Sequence, residues 1–160
     1  MKIMLIDDEF ECMLGLAGAI EPAGYRCEIF TEPEKAVAAY PLKHYDVVIS
    51  DMRMPGMNGI QVLTAIRKLN PDARVIIITG YGDVETAMAS INNGAYAFFG
   101  KPVDIADLME TLDKIKHEHA VRNRSREEQE RLATEYIRLK KAYGELQLLL
   151  QEKELQRNGG

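Results

Sequence analysis

Cysteine is scarce in this 160-residue chain, which holds only Cys12 and Cys27. Two thiols at irregular spacing exclude a disulfide framework and a zinc site. Both read as small core residues of a protein kept in a reducing compartment. No apolar run approaches the ~18 residues that a membrane span needs. The N-terminus passes one lysine, enters an apolar run and then meets acids, which is not the pattern of a signal peptide. Positive charge is not in excess either: 20 Lys+Arg face 25 Asp+Glu, a net charge of −5. A global basic surface is therefore absent. The expectation is a soluble cytoplasmic protein with no membrane contact and no direct nucleic-acid binding.

Helix breakers are missing from one part of the chain only. Beyond Pro102 there is no proline, and glycine occurs only at Gly144 and in the terminal Gly159-Gly160. Residues 103–160 carry 11 Lys+Arg and 12 Asp+Glu, against 9 and 13 in the longer stretch 1–102. The first part reads as a globular domain large enough for a proper core, the second as long helix. The expected division is a domain over residues 1–117, a helical coiled-coil extension over 118–157 and a disordered end at 158–160.

Within the first part, five short apolar runs alternate with helical patterns: Lys2–Ile6, Arg26–Phe30, Asp46–Ser50, Arg74–Thr79 and Ala95–Phe99. Val47-Val48-Ile49 and Val75-Ile76-Ile77-Ile78 are apolar on both faces, as strands sandwiched between helices must be. Met13, Leu16, Ala17 and Ile20 fall at helical spacing, as do Val84, Ala87, Met88 and Ile91, and Ile105, Leu108, Leu112 and Ile115. Breakers stand where the helices should stop, at Pro22 and Gly24, Pro41, Asn70-Pro71 and Asn93-Gly94. Five βα units predict an α/β fold, a doubly wound five-stranded parallel sheet of flavodoxin-like order 2-1-3-4-5, followed by a long C-terminal helix.

In such sheets a site forms beyond the carboxyl ends of the strands, where strand order reverses. Asp7 and Asp8 end the first run, Asp51 the third, Thr79 the fourth and Lys101-Pro102 the fifth. Carboxylates a few ångström apart repel unless protonated or bound to a cation. Hard oxygen ligands suit Mg²⁺. Three carboxylates and one ammonium at one edge therefore point to a magnesium site around a nucleophilic aspartate, which can attack phosphorus and form an acyl phosphate. A lone strand-end aspartate would more often be a helix cap, and a lone Lys101 a solvated surface charge. Asp51-Met52-Arg53 lacks the second aspartate of haloacid-dehalogenase phosphatases, and Gly80-Tyr81-Gly82 lacks the later glycine of a dinucleotide loop.

Taken in order, Asp7-Asp8, Asp51 with Met54-Pro55-Gly56-Met57-Asn58-Gly59, Thr79-Gly80 and Lys101-Pro102 resemble the receiver domain of bacterial two-component response regulators, over roughly residues 1–117. The resemblance implies that Asp51 is the phospho-acceptor, with Asp8 a direct Mg²⁺ ligand and Asp7 mostly a water-mediated one. It makes the backbone carbonyl of Arg53 a further ligand, and Thr79 and Lys101 the groups that hold the phosphoryl oxygens. Phe98 matches the aromatic switch position, the Lys101-Pro102 bond is expected cis, and Arg53 and Tyr81 fall where phosphoryl lifetime is tuned. A sensor histidine kinase would donate the phosphoryl group, in transfer and hydrolysis catalysed by the receiver itself rather than by a conventional enzyme. The stretch Thr79–Asp83 through Gly94–Phe99 looks like receivers of the nitrogen-regulation (NtrC-like) class.

In the tail, Leu132, Tyr136, Leu139, Tyr143, Leu146 and Leu150 recur at alternating spacings of 4 and 3, a coiled-coil seam. On a continuous helix this seam lies about 140° from the stripe Ile105/Leu108/Leu112/Ile115. One face can then cover the globular domain while the other meets a partner, so a homodimer is expected through the helix that starts at Ile105 and the coiled coil. Three readings stay open. The chain is a phosphorylated dimeric switch, or the N-terminal regulatory fragment of a transcription activator whose ATPase and DNA-binding domains are absent here, or an adaptor that is not phosphorylated.

Overall fold

A computed structural model describes residues 1–80, 88–89 and 91–158. The elements run β1 (Lys2–Ile6), α1 (Phe10–Ile20), a 3-10 turn (Glu21–Ala23), β2 (Arg26–Phe30), α2 (Pro33–Ala39), a second 3-10 turn (Tyr40–Leu42), β3 (Val47–Asp51), α3 (Gly59–Leu69), β4 (Arg74–Thr79), β5 (Ala97–Gly100) and α4 (Ile105–Asn158). The chain divides into two compact units, Met1–Lys116 and His117–Gly160.

The five strands form one parallel sheet in the order β2-β1-β3-β4-β5. Alternate side chains of each strand feed two cores. Ile3, Leu5, Val47, Ile49, Ile76 and Ile78 meet α1 and the first turns of α4 on one face. Met4, Ile6, Val48, Val75 and Ile77 meet α2 and α3 on the other. That double burial is why the middle stretches Val47-Val48-Ile49 and Val75-Ile76-Ile77-Ile78 are apolar on both faces. The helical stripes Met13/Leu16/Ala17/Ile20 and Leu108/Leu112/Ile115 are buried as their spacing requires.

Breakers act where expected. Gly24 and Gly94 take left-handed φ of 87° and 83°, and α3 ends at Asn70 before Pro71. Two strands are shifted from the expected bounds. β3 runs Val47–Asp51, because Asp46 instead turns its carboxylate to the Lys2 amide at 2.6 Å. β5 starts at Ala97, after a Gly94 turn whose carbonyl accepts from the Arg67 guanidinium at 2.6 Å.

Several expected core positions are corrected. Cys12 is exposed, because it stands off the buried stripe of α1, and its thiol reaches Glu9. Cys27, in the edge strand β2, is half-buried and does pack against the first core. Ile105 is 36% exposed because it opens α4 and lines an open, mostly apolar cavity of about 660 Å³ with Leu16 and Ala19, instead of sitting under a helix. Met88 and Ile91, expected on a helical stripe, are exposed. Val84 and Ala87, like Tyr81, lie outside the described residues, as do the last two glycines.

Candidate functional site

Strand order decides which residues can meet. β1 and β3 are neighbours with Ile6 level with Ser50, so Asp7 and Asp51 leave adjacent strands at the same height. β4 lies beside β3 and β5 beside β4, with Thr79 level with Gly100. The Lys101 amide donates to the Thr79 carbonyl at 2.7 Å, which carries the pairing one residue further and fixes where the lysine begins. The Lys101-Pro102 bond is cis.

Lys101 bridges two acids. Its Nζ stands 2.6 Å from Asp51 Oδ1 and 2.9 Å from Asp7 Oδ2. The second oxygen of each acid is held by backbone: the Arg53 amide donates to Asp51 Oδ2 at 2.6 Å and the Glu9 amide to Asp7 Oδ1 at 2.9 Å. Asp7 and Asp51 are 1% and 5% exposed, whereas Asp8 faces solvent. Carboxylate oxygens of Asp7, Asp8 and Asp51 lie within 4.8 Å of one another, a spacing that one hard cation can span.

The electrostatics leave this cluster short of positive charge. Burial raises the Asp51 carboxyl above the ordinary aspartate range, and the hydrogen bonds from Lys101 and the Arg53 amide do not fully reverse it. Burial works against the Lys101 ammonium too, but its bonds to Asp51 and Asp7 outweigh that, and its pKa stands above that of an ordinary lysine. The lysine is therefore a permanent cation facing more negative charge than it can neutralise. Three carboxylates against one ammonium leave an excess that a divalent ion matches.

Thr79 adds a second unmet demand. It is 3% exposed, and its Oγ1 has no hydrogen-bond partner among the described residues. An orphaned buried hydroxyl costs about 1–3 kcal/mol, so its presence at the end of β4 is better suited to a ligand than to the resting fold.

Local sequence explains how the loop after β3 holds its shape. Gly56 takes φ 82°, and Asn58 opens α3 with a reciprocal capping box to Gln61, each bond 2.9 Å. Gly59 donates its amide to the Met52 carbonyl at 2.9 Å, and a Cβ there would stand 2.6 Å from the Asp51 carbonyl oxygen. These roles of Asn58, Gln61 and Gly59 were not read from the sequence. The Asn-x-x-Gln spacing carried the capping signal, while the close approach of Gly59 had none.

The structure thus brings together Asp7, Asp8, Asp51 and Lys101. Arg53 reaches the cluster through its amide while its side chain is exposed. Phe98 is half-buried and packs on the α2/α3 core. The seam residues Leu132, Tyr136, Leu139, Tyr143, Leu146 and Leu150 belong to the second unit, and all six are exposed.

Comparison with known proteins agrees with this fold. The family described as response regulator receiver domain matches residues 3–113. The C4-dicarboxylate transport transcriptional regulatory protein DctD of Rhizobium meliloti is 37% identical over 101 residues, covering 63% of this chain and 22% of that protein. The DNA-binding transcriptional regulator NtrC of Salmonella typhimurium is 32% identical over 112 residues, 70% of this chain and 24% of that protein. The chain thus spans under a quarter of the length of either relative. Among solved structures, a response regulator receiver domain protein from Clostridium thermocellum superposes with a TM-score of 0.71 at 30% identity, over 75% of this chain and 97% of that one.

Proposed function

The chain belongs to the response regulator receiver domain family, and on that premise we propose that Asp51 is its phospho-acceptor, charged by a sensor histidine kinase with Mg²⁺ at Asp7, Asp8 and Asp51. The observation that carries this reading is the doubly bridged Lys101, which keeps the Asp51 carboxylate aimed into a cluster that needs more positive charge. Asp51 Oδ attacks phosphorus, the P–N bond of the donor phosphohistidine breaks, and the imidazole leaves with the bonding electrons. The product is an aspartyl phosphate. A divalent cation, when bound, offsets the charge of the acids and of the incoming phosphoryl oxygens.

The chain's own groups do the rest. Asp7, Asp8 and Asp51 would hold the cation, joined by the Arg53 backbone carbonyl. Lys101 exchanges its bond to Asp51 for one to a phosphoryl oxygen, remaining protonated throughout. The orphaned Thr79 hydroxyl donates to another, and that gain draws Thr79 toward the phosphate and lets Phe98 follow, shifting the population between two states. Output runs through the tail, whose exposed seam from Leu132 to Leu150 supports a homodimeric coiled coil in a cytoplasmic protein.

Intact-mass spectrometry after incubation with acetyl phosphate and Mg²⁺ tests the chemistry. A single phosphoryl adduct that vanishes in Asp51→Asn is expected; no adduct, or one unchanged in that variant, refutes it. A second reading is favoured by the short coverage of DctD and NtrC: the chain is the regulatory portion of a longer transcription activator. Coding sequence continuing past Gly160 supports that reading, and a stop codon there removes it.

A further inference from the structure

The apolar face of the second unit carries a charge pattern that discriminates between its possible pairings. Its seam steps alternately by 4 and 3 residues from Leu132 to Leu150, with Leu132, Leu139 and Leu146 in one set of core positions (d) and Tyr136, Tyr143 and Leu150 in the other (a). Every one of these side chains is more than half exposed. The seam is therefore a continuous apolar strip that a single copy of the helix leaves uncovered. Leucine at each d position meets half of the two-stranded pattern, while Tyr136, Tyr143 and Leu150 do not supply its β-branched a positions, so the strip by itself does not set direction.

Charge enters at the positions that flank the strip. With this phase, Glu135 is a g residue and Lys140 an e residue, five positions apart. Neither appears in an ion pair within its own helix among the described residues, whereas Arg126 pairs with Glu130 at 3.0 Å and Arg131 with Glu128 at 3.7 Å. Glu135 and Lys140 are thus both available to a partner.

Two copies can overlap all six seam layers in two ways. In a parallel, in-register pair each g residue faces the e residue five positions on in the other chain. Glu135 then meets the second copy's Lys140, and symmetry makes the contact twice. In an antiparallel pair with the same six-layer overlap, e faces e and g faces g. Lys140 then meets the second copy's Lys140, and Glu135 meets its Leu149. Apolar overlap is equal in the two arrangements, so the flanking charges decide: two attractive contacts against one repulsion.

We infer that residues from Leu132 to Leu150 pair with a second copy of this chain as a parallel, in-register, two-stranded coiled coil. The inference rests on the dimer reading proposed above and adds its direction. The two chains enter the pair from the same end, so the two N-terminal units are tethered at that end and held at high local concentration.

Disulfide exchange on the full chain tests the direction. Cys12 and Cys27 are replaced by alanine, and one variant then carries Gln129→Cys, at the core position one heptad before Tyr136, while a second carries Lys153→Cys, one heptad after Leu146. In the parallel pair each new thiol faces its own copy; in the antiparallel pair position 129 faces position 153. An equal mixture is equilibrated in a glutathione buffer and its disulfides resolved by mass. The two homodisulfides should exceed their statistical share, and a dominant mixed disulfide overturns the parallel arrangement.

Light scattering on the unsubstituted chain is read separately. Twice the 18.0 kDa chain mass is expected, a monomer overturns the dimer reading itself, and a trimer overturns the two-stranded pair. Lys140→Glu should raise the dimer Kd several-fold, and adding Glu135→Lys should restore it. A Kd unmoved by Lys140→Glu contradicts the proposed contact.

Discussion

Replacing Lys101 with alanine removes the ammonium from between Asp7 Oδ2 and Asp51 Oδ1, which it holds at 2.9 and 2.6 Å. Both acids stay where the backbone puts them, because the Glu9 and Arg53 amides still bind their second oxygens. Breaking one partner from a buried charge pair costs about 3–5 kcal/mol. The Lys101 side chain is 32% exposed, so water and salt screen part of the interaction, and the expected loss is nearer ~2 kcal/mol. In urea this lowers the unfolding midpoint by about 1 M.

The pH dependence follows from Asp51. Burial raises its folded pKa above the ordinary range, so its ionised form opposes folding, and the cost is full at neutral pH and fades as pH falls through that raised value. Without Lys101 the pKa rises further, so the deficit of the variant shrinks from pH 7 toward pH 4. Added Mg²⁺ should restore more stability to Lys101→Ala than to the parent, since the cation meets two acids that the lysine no longer serves. Urea titrations at pH 7 and pH 4.5, with and without Mg²⁺, read all three effects. Equal midpoints for variant and parent at pH 7 would refute the claim that Lys101 offsets part of the charge of this cluster.

Thr79→Val removes the orphaned hydroxyl at nearly constant shape and should stabilise the unphosphorylated protein by ~1 kcal/mol in thermal or urea melts; a loss of stability means the hydroxyl already has a partner at rest. Gly59→Ala sets a Cβ 2.6 Å from the Asp51 carbonyl oxygen, and should cost about 1–3 kcal/mol and slow phosphorylation from acetyl phosphate, whereas a neutral effect on both shows that β3 can yield. Glu28 sits between Lys43, Lys2 and the Tyr45 hydroxyl, and hydrogen bonds from Lys43 and then Lys2 lower its pKa to about 2. That stabilisation is present above the ordinary glutamate range and is lost as pH falls toward 2. The gap between the parent and Glu28→Gln in urea midpoint should therefore close between pH 5 and pH 2, and a gap that widens on acidification overturns the assignment.

The strands were legible because a sheet buried on both faces leaves a simple trace, an unbroken apolar run such as Val75-Ile76-Ile77-Ile78. The breakers at Gly24, Asn70-Pro71 and Gly94 were legible because proline and glycine act through local sterics alone. Strand order then gathered Asp7, Asp51 and Lys101 at one edge without further information. What the sequence could not express is unequal burial of adjacent residues: Asp7 is enclosed and bonded to Lys101, while Asp8, one residue on, is exposed. That difference depends on which side of the turn faces β5, a tertiary fact.

Cys12 shows the same limit from the other side. Composition favours burial of a cysteine, yet a helix position one step off its apolar stripe is turned to solvent. Ile105, Met88 and Ile91 likewise have the spacing of a helical stripe and are exposed. Periodicity reports that a stripe exists, and only the packing of neighbouring elements reports what lies on it. The seam of the tail is the same kind of signal: its six positions are exposed, and the spacing alone does not say what covers them.

The proposed chemistry turns on one carboxylate, Asp51, as the group that receives the phosphoryl group. The most direct measurement is to treat the protein with acetyl phosphate and Mg²⁺, reduce it with borohydride, and sequence the peptides by mass spectrometry. Reduction cleaves an aspartyl phosphate and leaves homoserine in place of the aspartate. Homoserine at position 51, with Asp7 and Asp8 unmodified, is the expected result. Homoserine at either of those two positions, or an intact Asp51 in a protein that has taken up phosphate, would contradict it.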